Sequence, residues 1–294
     1  MVLLDGRKAA ASILEEIKAG ADEVNRSIGR NPHLSVILVG NDGASETYVA
    51  AKLRTCEKVG INTSLFRFDS DITQGELDEK IIQVNEDPQI DGLIVQSPLP
   101  GSIDFTHITS LISPSKDVDG FNPVNTGRMV QNIPSFIAAT PKGILMLMEH
   151  YKVPTIGKRC VVIGRSNIVG MPMSILLARN NDPGNCTVTI CHSRTEDLPD
   201  HTRNADIIIA ALGKPGFLKS DMICDGATVI DVGITRIEDP SRKSGFRLQG
   251  DADFDQIAGK CAFITPVPGG VGPMTIAGLL SNTISAAKKE YYPE

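Results

Sequence analysis

An aromatic residue and a lysine lie four positions apart in a segment that is predicted to be helical. The segment 44–59 reads ASETYVAAKLRTCEKV and contains Tyr48 and Lys52. Residues i and i+4 share one side of a helix, so the ring and the amine would project together. The buried stripe beside them is predicted to consist of Val49, Leu53 and Cys56. A lysine at the edge of that stripe can carry a proton in a desolvated cleft, or it can simply lay its stem along the apolar surface.

Two more polar candidates follow in the first half of the chain. The predicted strand 92–96 ends at Gln96, and Ser97 comes next. Because the carboxyl ends of strands line the ligand crevice of an α/β sheet, Gln96 is expected to present its amide there, unless it is only a polar strand end. The segment 116–121, KDVDGF, carries Asp119, although two acids before a glycine can be no more than an Asx-type turn. Neither HExxH, a Cys/His cluster nor G-x-S-x-G occurs, so no metal site and no serine hydrolase is expected.

A glycine-containing turn in the second half is typical of phosphate binding. The segment 160–172 reads CVVIGRSNIVGMP, in which a predicted strand runs into Gly164 and a helix begins near Gly170. Backbone N–H groups at such a helix start can bind a phosphate. The match to G-x-G-x-x-G is imperfect, since Ser166 replaces the second glycine and the last glycine comes one residue late. An ordinary strand–helix turn therefore stays open as the alternative.

The end of the next strand favours NADP over NAD. NAD-binding folds place an Asp or Glu there to bind the ribose 2′-hydroxyl. Here the strand 187–191 ends in His192, Ser193 and Arg194, without an acid, and Arg165 is available from the first turn. A hydroxyl and two cations suit a 2′-phosphate. Either arginine could also be a solvated loop residue.

The segment 264–275, ITPVPGGVGPMT, combines three glycines with three prolines. A loop of this composition is stiff and sterically open, so a flat ligand can approach its backbone closely. Pro268 and Gly269 lie at its centre, and the chain continues directly into a predicted final helix.

Short apolar runs alternate with helical segments, which predicts an α/β fold. Strands are expected at 34–39, 63–68, 92–96, 160–163, 187–191, 206–211, 228–232 and 262–264. Helices are expected at 8–27, 44–59, 74–86, 171–180 and 273–288, and a further helix opens at Thr140-Pro141 with the threonine as N-cap. The connections of the second half favour a parallel, doubly wound sheet.

Composition excludes several classes of protein. The 294 residues carry a net charge of −6, which gives no electrostatic footprint for nucleic acid. The apolar runs are far shorter than the roughly 20 residues that span a bilayer. Asp5 interrupts the apolar start, so no signal peptide is expected. The six cysteines form no C-x-x-C pair and are interpreted as reduced core thiols of a cytosolic protein.

Taken in order, these motifs resemble one known family. They are Y-V-A-A-K at 48–52, V-Q-S-P-L-P at 95–100, K-D-V-D-G-F at 116–121, G-R-S-N-I-V-G-M-P at 164–172, V-I-D-V-G-I at 229–234 and P-V-P-G-G-V-G-P-M-T at 266–275. The chain resembles, over essentially its whole length, the bifunctional methylenetetrahydrofolate dehydrogenase/methenyltetrahydrofolate cyclohydrolases. The resemblance implies an α/β catalytic and folate-binding domain of residues 1–140 plus 275–294, on which the C-terminal helix packs back. It also implies a Rossmann-type, NADP-binding domain of residues 141–274.

The resemblance also implies roles for individual residues. Lys52 would be the cyclohydrolase catalyst with Gln96 as its partner, Tyr48 would stack on the p-aminobenzoyl group, and Asp119 would hold the pterin. Substrate contacts would extend to Ser97, Pro268 and Gly269. NADP would be contacted by Gly164, Arg165, Ser166, Ser193 and Ile234. Tetrahydrofolate derivatives are the expected substrates and a homodimer the expected assembly, for which a polar hairpin at 236–250 is a candidate interface element.

Two departures from the family pattern stand out. Ser97 occupies a position where the family usually has leucine. The connection 182–185 looks longer than usual, and we expect it near the adenosine end of the cofactor. The remaining alternatives are another two-domain NADP-dependent dehydrogenase, a dehydrogenase-only relative that uses NAD with phosphate, and an NADP-sensing module without turnover.

Overall fold

The computed structural model describes residues 1–242 and 245–293, and their contacts divide into two compact units. The three-strand unit comprises Ser12–Ala139 and Ile276–Glu294, and the six-strand unit comprises Met1–Ala11 and Thr140–Thr275. Residues 1–11, which the sequence places with the first domain, group with the second because Val2 and Leu3 pair in parallel with Phe263 and Ile264.

The elements alternate along most of the chain, as an α/β fold requires. The strands are β1 (Val2–Leu3), β2 (His33–Val39), β3 (Asn62–Phe68), β4 (Gly92–Gln96), β5 (Arg159–Ile163), β6 (Thr187–Cys191), β7 (Ile207–Ala210), β8 (Thr228–Asp231), β9 (Thr235–Glu238), β10 (Phe246–Gln249) and β11 (Phe263–Ile264). The helices are α1 (Gly6–Ile28), α2 (Gly43–Val59), α3 (Gln74–Glu86), α4 (Phe105–Leu111), α5 (Pro123–Val130), α6 (Ala139–His150), α7 (Gly170–Ala178), α8 (Leu198–Arg203), α9 (Phe254–Ile257) and α10 (Val271–Ala287). Two short 3-10 helices lie at Ser220–Met222 and Ala258–Lys260.

The three-strand unit is built on a parallel sheet in the order β3-β2-β4. Local signals determine where its main helices begin and end. The Asp42 carboxylate accepts a hydrogen bond from Ser45 N at 2.8 Å and caps α2, which ends at Gly60 with φ at 77°. Thr73 and Glu76 form a capping box at the start of α3. The register of α2, and so the direction of each of its side chains, follows from these caps.

The six-strand unit contains a sheet in the order β1-β11-β8-β7-β5-β6, in which every pair is parallel. The chain runs from β5 outward to β6 and then returns past β5 to β7. The strand order therefore reverses between β5 and β7, and ligands of doubly wound sheets bind at the carboxyl ends of the strands beside such a reversal.

Most elements confirm the sequence-based expectation to within one or two residues, but Thr140 differs and several short elements, including β1, α8 and α9, were not expected. Thr140 is not an N-cap, because α6 already begins at Ala139. Helices α4 and α5 fall in regions for which no helix was expected. Each has a local signal: Asp104 caps α4, while Asn122 caps α5 with Pro123 in its first turn. Both helices are short, with 7 and 8 residues, so they show little apolar periodicity.

The final helix, α10, packs on the three-strand unit as expected. Asn282 is buried, and its side-chain amide donates to the carbonyl oxygens of Val118 and Ile137, both at 2.8 Å. Ile284 of the same helix lies against Gly20 of α1.

Cysteine placement and helix length bear on the remaining expectations from composition. All six cysteines are free and five are buried, which confirms their interpretation as core thiols. In residues 1–242 and 245–293, no helix combines the length and the apolarity that crossing a membrane requires.

We expect Gly170→Ala to destabilise the protein, because a Cβ at this first residue of α7 would overlap the carbonyl oxygen of Gly164 and lie 2.8 Å from Arg165 N. Overpacking of this kind costs about 1–3 kcal/mol of unfolding free energy, measurable by urea denaturation. Gly272→Ala in α10 is the matched control, since its Cβ meets none of the described atoms within 4 Å. Equal stability of the two variants would contradict the close approach of α7 to the end of β5.

Candidate functional site

Lys52 lies inside the buried stripe of α2 and not at its edge. The stripe consists of Ser45, Val49, Lys52, Cys56 and Val59. Lys52 is only 4% exposed, whereas Leu53, which the sequence places inside, is half-buried. The edge position expected for Lys52 is therefore wrong. Charged side chains are seldom fully buried without a partner, and the partner is supplied by another element, β4, which the periodicity of α2 cannot indicate.

That partner is Gln96 at the carboxyl end of β4. Lys52 Nζ donates to Gln96 Oε1 at 3.0 Å. The amide is oriented in turn, because Gln96 Nε2 donates to the carbonyl oxygen of Ser97 at 2.7 Å. The ammonium also lies 4.7 Å from the centroid of the Tyr48 ring, within cation–π range. The structure thus brings together four of the residues singled out in the sequence.

Asp119 is the fifth member of this group. It is half-buried and interacts electrostatically with Lys52. Burial lowers the pKa of Lys52, against the opposing influence of Asp119 and the Cys56 thiol. Loss of hydration raises the pKa of Asp119, and the nearby Lys52 acts against that shift. The lysine can therefore lose its proton at a lower pH than an exposed lysine.

Asp117 is a residue to which the sequence assigned no role. It is buried, and its Oδ2 accepts hydrogen bonds from Asn122 N at 2.8 Å and from Asn125 Nδ2 at 2.9 Å. Its Oδ1 accepts from Phe121 N at 3.1 Å. Burial outweighs these bonds and raises the pKa of Asp117 to about 7. The first acid of KDVDGF therefore shapes the turn that carries the second, and the Asx-turn interpretation applies to Asp117.

The predicted phosphate-binding turn is shaped by close packing of the backbone. Gly164 follows β5 with φ at 130°, a conformation that favours glycine. A Cβ at Gly164 would overlap the carbonyl oxygen of Ala211, just after β7. The Ser166 hydroxyl accepts hydrogen bonds from Val169 N at 3.2 Å and Gly170 N at 3.4 Å, so it holds the turn that leads into α7. Ser166, which stands where the G-x-G-x-x-G pattern has its second glycine, therefore stabilises the turn through its side chain.

The other residues predicted to contact NADP follow the carboxyl ends of β5, β6 and β8. Arg165, Ser193 and Arg194 are exposed, and Ile234 is 61% exposed. Within the described part of the chain, neither guanidinium takes part in a salt bridge. Arg194 N donates to His192 Nδ1 at 3.2 Å, which holds the 192–194 turn. Two cations and a hydroxyl are thus presented at the sheet edge where a nucleotide would bind.

Two carboxylates that the sequence did not single out hold the neighbouring loop after β7. Asp251 accepts hydrogen bonds from the backbone N–H groups of residues 212, 213 and 214, at 2.6, 2.9 and 2.7 Å. Asp231, at the end of β8, in turn accepts from the N–H groups of Gly233, Asp251 and Ala252. Burial raises the pKa of Asp231 to about 6. The sequence does offer a signal for Asp231, because it is an acidic residue at the end of the buried strand TVID.

Two further expectations concern segments of the six-strand unit. Pro268 and Gly269 belong to it, and Gly269, with φ at 111°, lies close to the Arg7 guanidinium. The connection 182–185 leads into the amino end of β6, where Gly184 N donates to Thr155 Oγ1 at 3.0 Å. Ser193 follows the opposite end of that strand, so the connection 182–185 lies at the end of β6 away from the residues that the sequence predicts to contact NADP.

A separate cavity of about 730 Å³ occurs in the three-strand unit. Its lining includes Arg30, Asp91 and Tyr292, but neither Lys52 nor Asp119. Arg30 forms a two-point ion pair with Asp91 at 2.7 Å, so this arginine is already neutralised.

Both halves of the chain match the domains of one enzyme family. Residues 4–119 match the catalytic domain of tetrahydrofolate dehydrogenase/cyclohydrolase, and residues 138–291 match the NAD(P)-binding domain of the same enzymes. The chain belongs to the tetrahydrofolate dehydrogenase/cyclohydrolase family. Each matched half contains one of the two groups of residues described above, the lysine group in the first and the glycine turn in the second.

Other members of the tetrahydrofolate dehydrogenase/cyclohydrolase family are similar over their whole length. The bifunctional protein FolD of Porphyromonas gingivalis is 54% identical over 289 residues, 98% of each chain. The FolD crystal structure from Campylobacter jejuni superposes with a TM-score of 0.92 at 44% identity, over 99% of each chain. The Trypanosoma brucei enzyme, solved with NADP cofactor and an inhibitor, has a TM-score of 0.93 at 38% identity, over 99% of this chain and 98% of that one.

Proposed function

We propose that this protein oxidises 5,10-methylenetetrahydrofolate to 5,10-methenyltetrahydrofolate with NADP and hydrolyses that product to 10-formyltetrahydrofolate. The observation that carries the proposal is the buried Lys52–Gln96 hydrogen bond beside Tyr48 and Asp119, in a chain of the dehydrogenase/cyclohydrolase family. The three-strand unit is then the folate-binding domain and the six-strand unit the NADP-binding domain.

The oxidation needs orientation more than a strong base. The carbon that loses hydride lies between two nitrogens, whose lone pairs stabilise the developing cation. NADP supplies the hydride acceptor when it is bound. Tyr48 stacks on the p-aminobenzoyl group, and the Asp119 carboxylate accepts hydrogen bonds from the donor edge of the pterin. Ser97 completes the substrate contacts made by the three-strand unit.

The hydrolysis uses Lys52 as a base. The methenyl carbon is already a cationic electrophile, so its hydrolysis mainly requires a water that loses a proton as its oxygen bonds to that carbon. Burial lowers the pKa of Lys52, and a cationic substrate nearby lowers it further. The neutral amine takes one proton of the water and passes it to N5 as the bond from the carbon to N5 breaks. The remaining hydroxyl proton leaves to solvent as the C=O bond of the formyl group forms. Gln96 holds the amine in place through the 3.0 Å hydrogen bond.

The residues at the carboxyl edge of the six-strand sheet fit NADP. Gly164 and Gly170 let the end of β5, the start of α7 and Ala211 pack closely, and Ser166 shapes the turn between them. The backbone N–H groups at the N-terminus of α7 are then the site for the pyrophosphate. Arg165, Ser193 and Arg194 are exposed at the same edge and bind the 2′-phosphate. Ile234 contacts the cofactor with an exposed apolar side chain.

We expect Lys52→Met to abolish hydrolysis of methenyltetrahydrofolate, with a loss of about 100-fold or more, because the proton acceptor is gone. Loss of methenyl absorbance measures the hydrolysis, and NADPH formation from methylenetetrahydrofolate measures the oxidation. Lys58→Met, at an exposed position of the same helix, is the control and should leave both rates unchanged. Undiminished hydrolysis by Lys52→Met would overturn the assignment of Lys52. A wild-type protein that forms NADPH without hydrolysing the product would be a dehydrogenase only.

We expect Arg165→Ala to reduce the preference for NADP over NAD by about tenfold or more in kcat/KM. One charge-assisted hydrogen bond to the 2′-phosphate contributes about 1.5–3 kcal/mol, and 1.4 kcal/mol is a factor of ten. Initial rates with each cofactor test this. The control is Arg159→Ala, because Arg159 is an exposed arginine at the opposite end of β5. If wild-type turnover with NAD matched that with NADP once inorganic phosphate and magnesium were added, the arginines would bind free phosphate beside NAD instead.

A homodimer joined through the six-strand unit is proposed as the assembly. Strands β9 and β10 form the antiparallel hairpin expected from 236–250, and Arg236 lies 4.6 Å from the Phe246 ring centroid across it. Residues 243 and 244 at its tip lie outside the described residues. Light scattering at micromolar concentration should give twice the chain mass of 31.5 kDa. A mass of one chain would contradict dimerisation.

The cytoplasm is the proposed location, and small molecules are the proposed ligands. Six free cysteines fit a reducing compartment. A net charge of −6 supports the expectation that nucleic acid is not a partner.

A further inference from the structure

The turn that carries Asp119 is held from several sides. Lys116 O accepts a hydrogen bond from Leu93 N of β4 at 2.7 Å, which fixes the start of the turn. Asn282 Nδ2 of α10 donates to Val118 O at 2.8 Å. Gly120 has φ at 77°, and a Cβ there would lie 2.5 Å from Ala138 N. The backbone on both sides of Asp119 is therefore confined by neighbours that leave it little room.

Inside the turn, Asp117 is the central acceptor, and Asn125 connects it to the end of the chain. Asn125 is fully buried, and its Nδ2 donates to Asp117 Oδ2 and to Pro114 O, both at 2.9 Å. Its Oδ1 accepts a hydrogen bond from the Tyr292 hydroxyl at 2.7 Å. Asp117 and the Pro114 carbonyl determine which way the Asn125 amide faces, because both accept from Nδ2, and the Tyr292 hydroxyl then supplies the donor for the buried Oδ1. Without that hydroxyl the Asn125 oxygen would lose its partner inside the network that holds the turn.

The tail that supplies this hydroxyl is anchored by packing and not by the hydroxyl alone. The Arg128 guanidinium lies 4.7 Å from the Tyr292 ring centroid and donates to Tyr291 O at 3.2 Å. The buried Phe136 packs edge-on against Tyr291, with ring centroids 5.1 Å apart. Removing only the Tyr292 hydroxyl would leave these ring contacts in place.

We propose that the C-terminal tyrosine Tyr292 is a positioning residue for folate binding, acting through Asn125 and Asp117 on the turn that presents Asp119. This inference rests on the proposed function, since Asp119 is taken to hold the pterin. The chain of contacts runs from the tail to the turn without leaving the three-strand unit. Tyr292 therefore affects the position of the Asp119 carboxylate before the substrate binds. It does not act on the reacting atoms.

Tyr292→Phe should therefore raise the KM for methylenetetrahydrofolate about two- to tenfold, the equivalent of one neutral hydrogen bond. The kcat and the KM for NADP should stay within about twofold of wild type. A merely structural contribution would instead lower the thermal unfolding midpoint or the fraction of active protein without moving the folate KM. Asn125→Asp should have the larger effect on folate KM, because it replaces an amide donor by a second carboxylate facing Asp117.

The control is Tyr291→Phe, since no hydrogen bond in the described part of the chain uses the Tyr291 hydroxyl; its folate KM should equal that of wild type. All variants are made in the full chain, and unfolding midpoints are recorded beside the kinetics. A wild-type folate KM in Tyr292→Phe would overturn the role of the tail, as would an equal increase in Tyr291→Phe. Absence of folate turnover in the wild-type protein would instead refute the proposed function itself.

Discussion

Burial of the Lys52 ammonium is the constraint on which the lysine site depends. A cation removed from water costs several kcal/mol unless neighbouring groups replace its hydration. Here Gln96 accepts its hydrogen bond, the Tyr48 ring lies over it, and Asp119 supplies the opposite charge. These partners come from the end of β4, from α2 itself and from the turn after Lys116, so the three segments must keep fixed mutual positions. These partners offset the cost of burial only in part, so the Lys52 amine is less basic than an exposed lysine. A less basic amine can give up its proton and take part in proton transfer.

The turn bearing Asp119 is held in one conformation by hydrogen bonds and close packing. Asp117 collects three N–H donors, Asn282 binds the Val118 carbonyl, and Gly120 allows Ala138 to approach closely. Buried polar networks of this kind specify one conformation only when every member is satisfied. The C-terminal segment contributes to that satisfaction, since both Asn282 of α10 and the Tyr292 hydroxyl supply donors to the same network. The Asp119 carboxylate is thus placed by residues from several other elements of the three-strand unit.

The six-strand unit relies on close backbone contact instead of a buried charge pair. Gly164 and Gly170 let the end of β5, the start of α7 and the residue after β7 approach within distances that a Cβ would prevent. Beside them, Asp251 binds three consecutive N–H groups and is itself held by Asp231. The two carboxylates thus hold the loop after β7, at the sheet edge where the strand order reverses. The arginines and Ser193 at the same edge remain exposed to a ligand.

The sequence by itself determined the periodic elements, their order and the residues that could do chemistry, because helix and strand periods and turn residues are local properties. It predicted the parallel sheet of the second half, and the family resemblance implied that the C-terminal helix packs on the first half and that Gln96 is the partner of Lys52. It did not place Lys52 in the buried stripe, give Asp117 or Asp251 a role, or indicate that Tyr292 reaches Asn125. Those facts join residues up to 167 positions apart, and only packing decides which donors and acceptors meet after water is excluded.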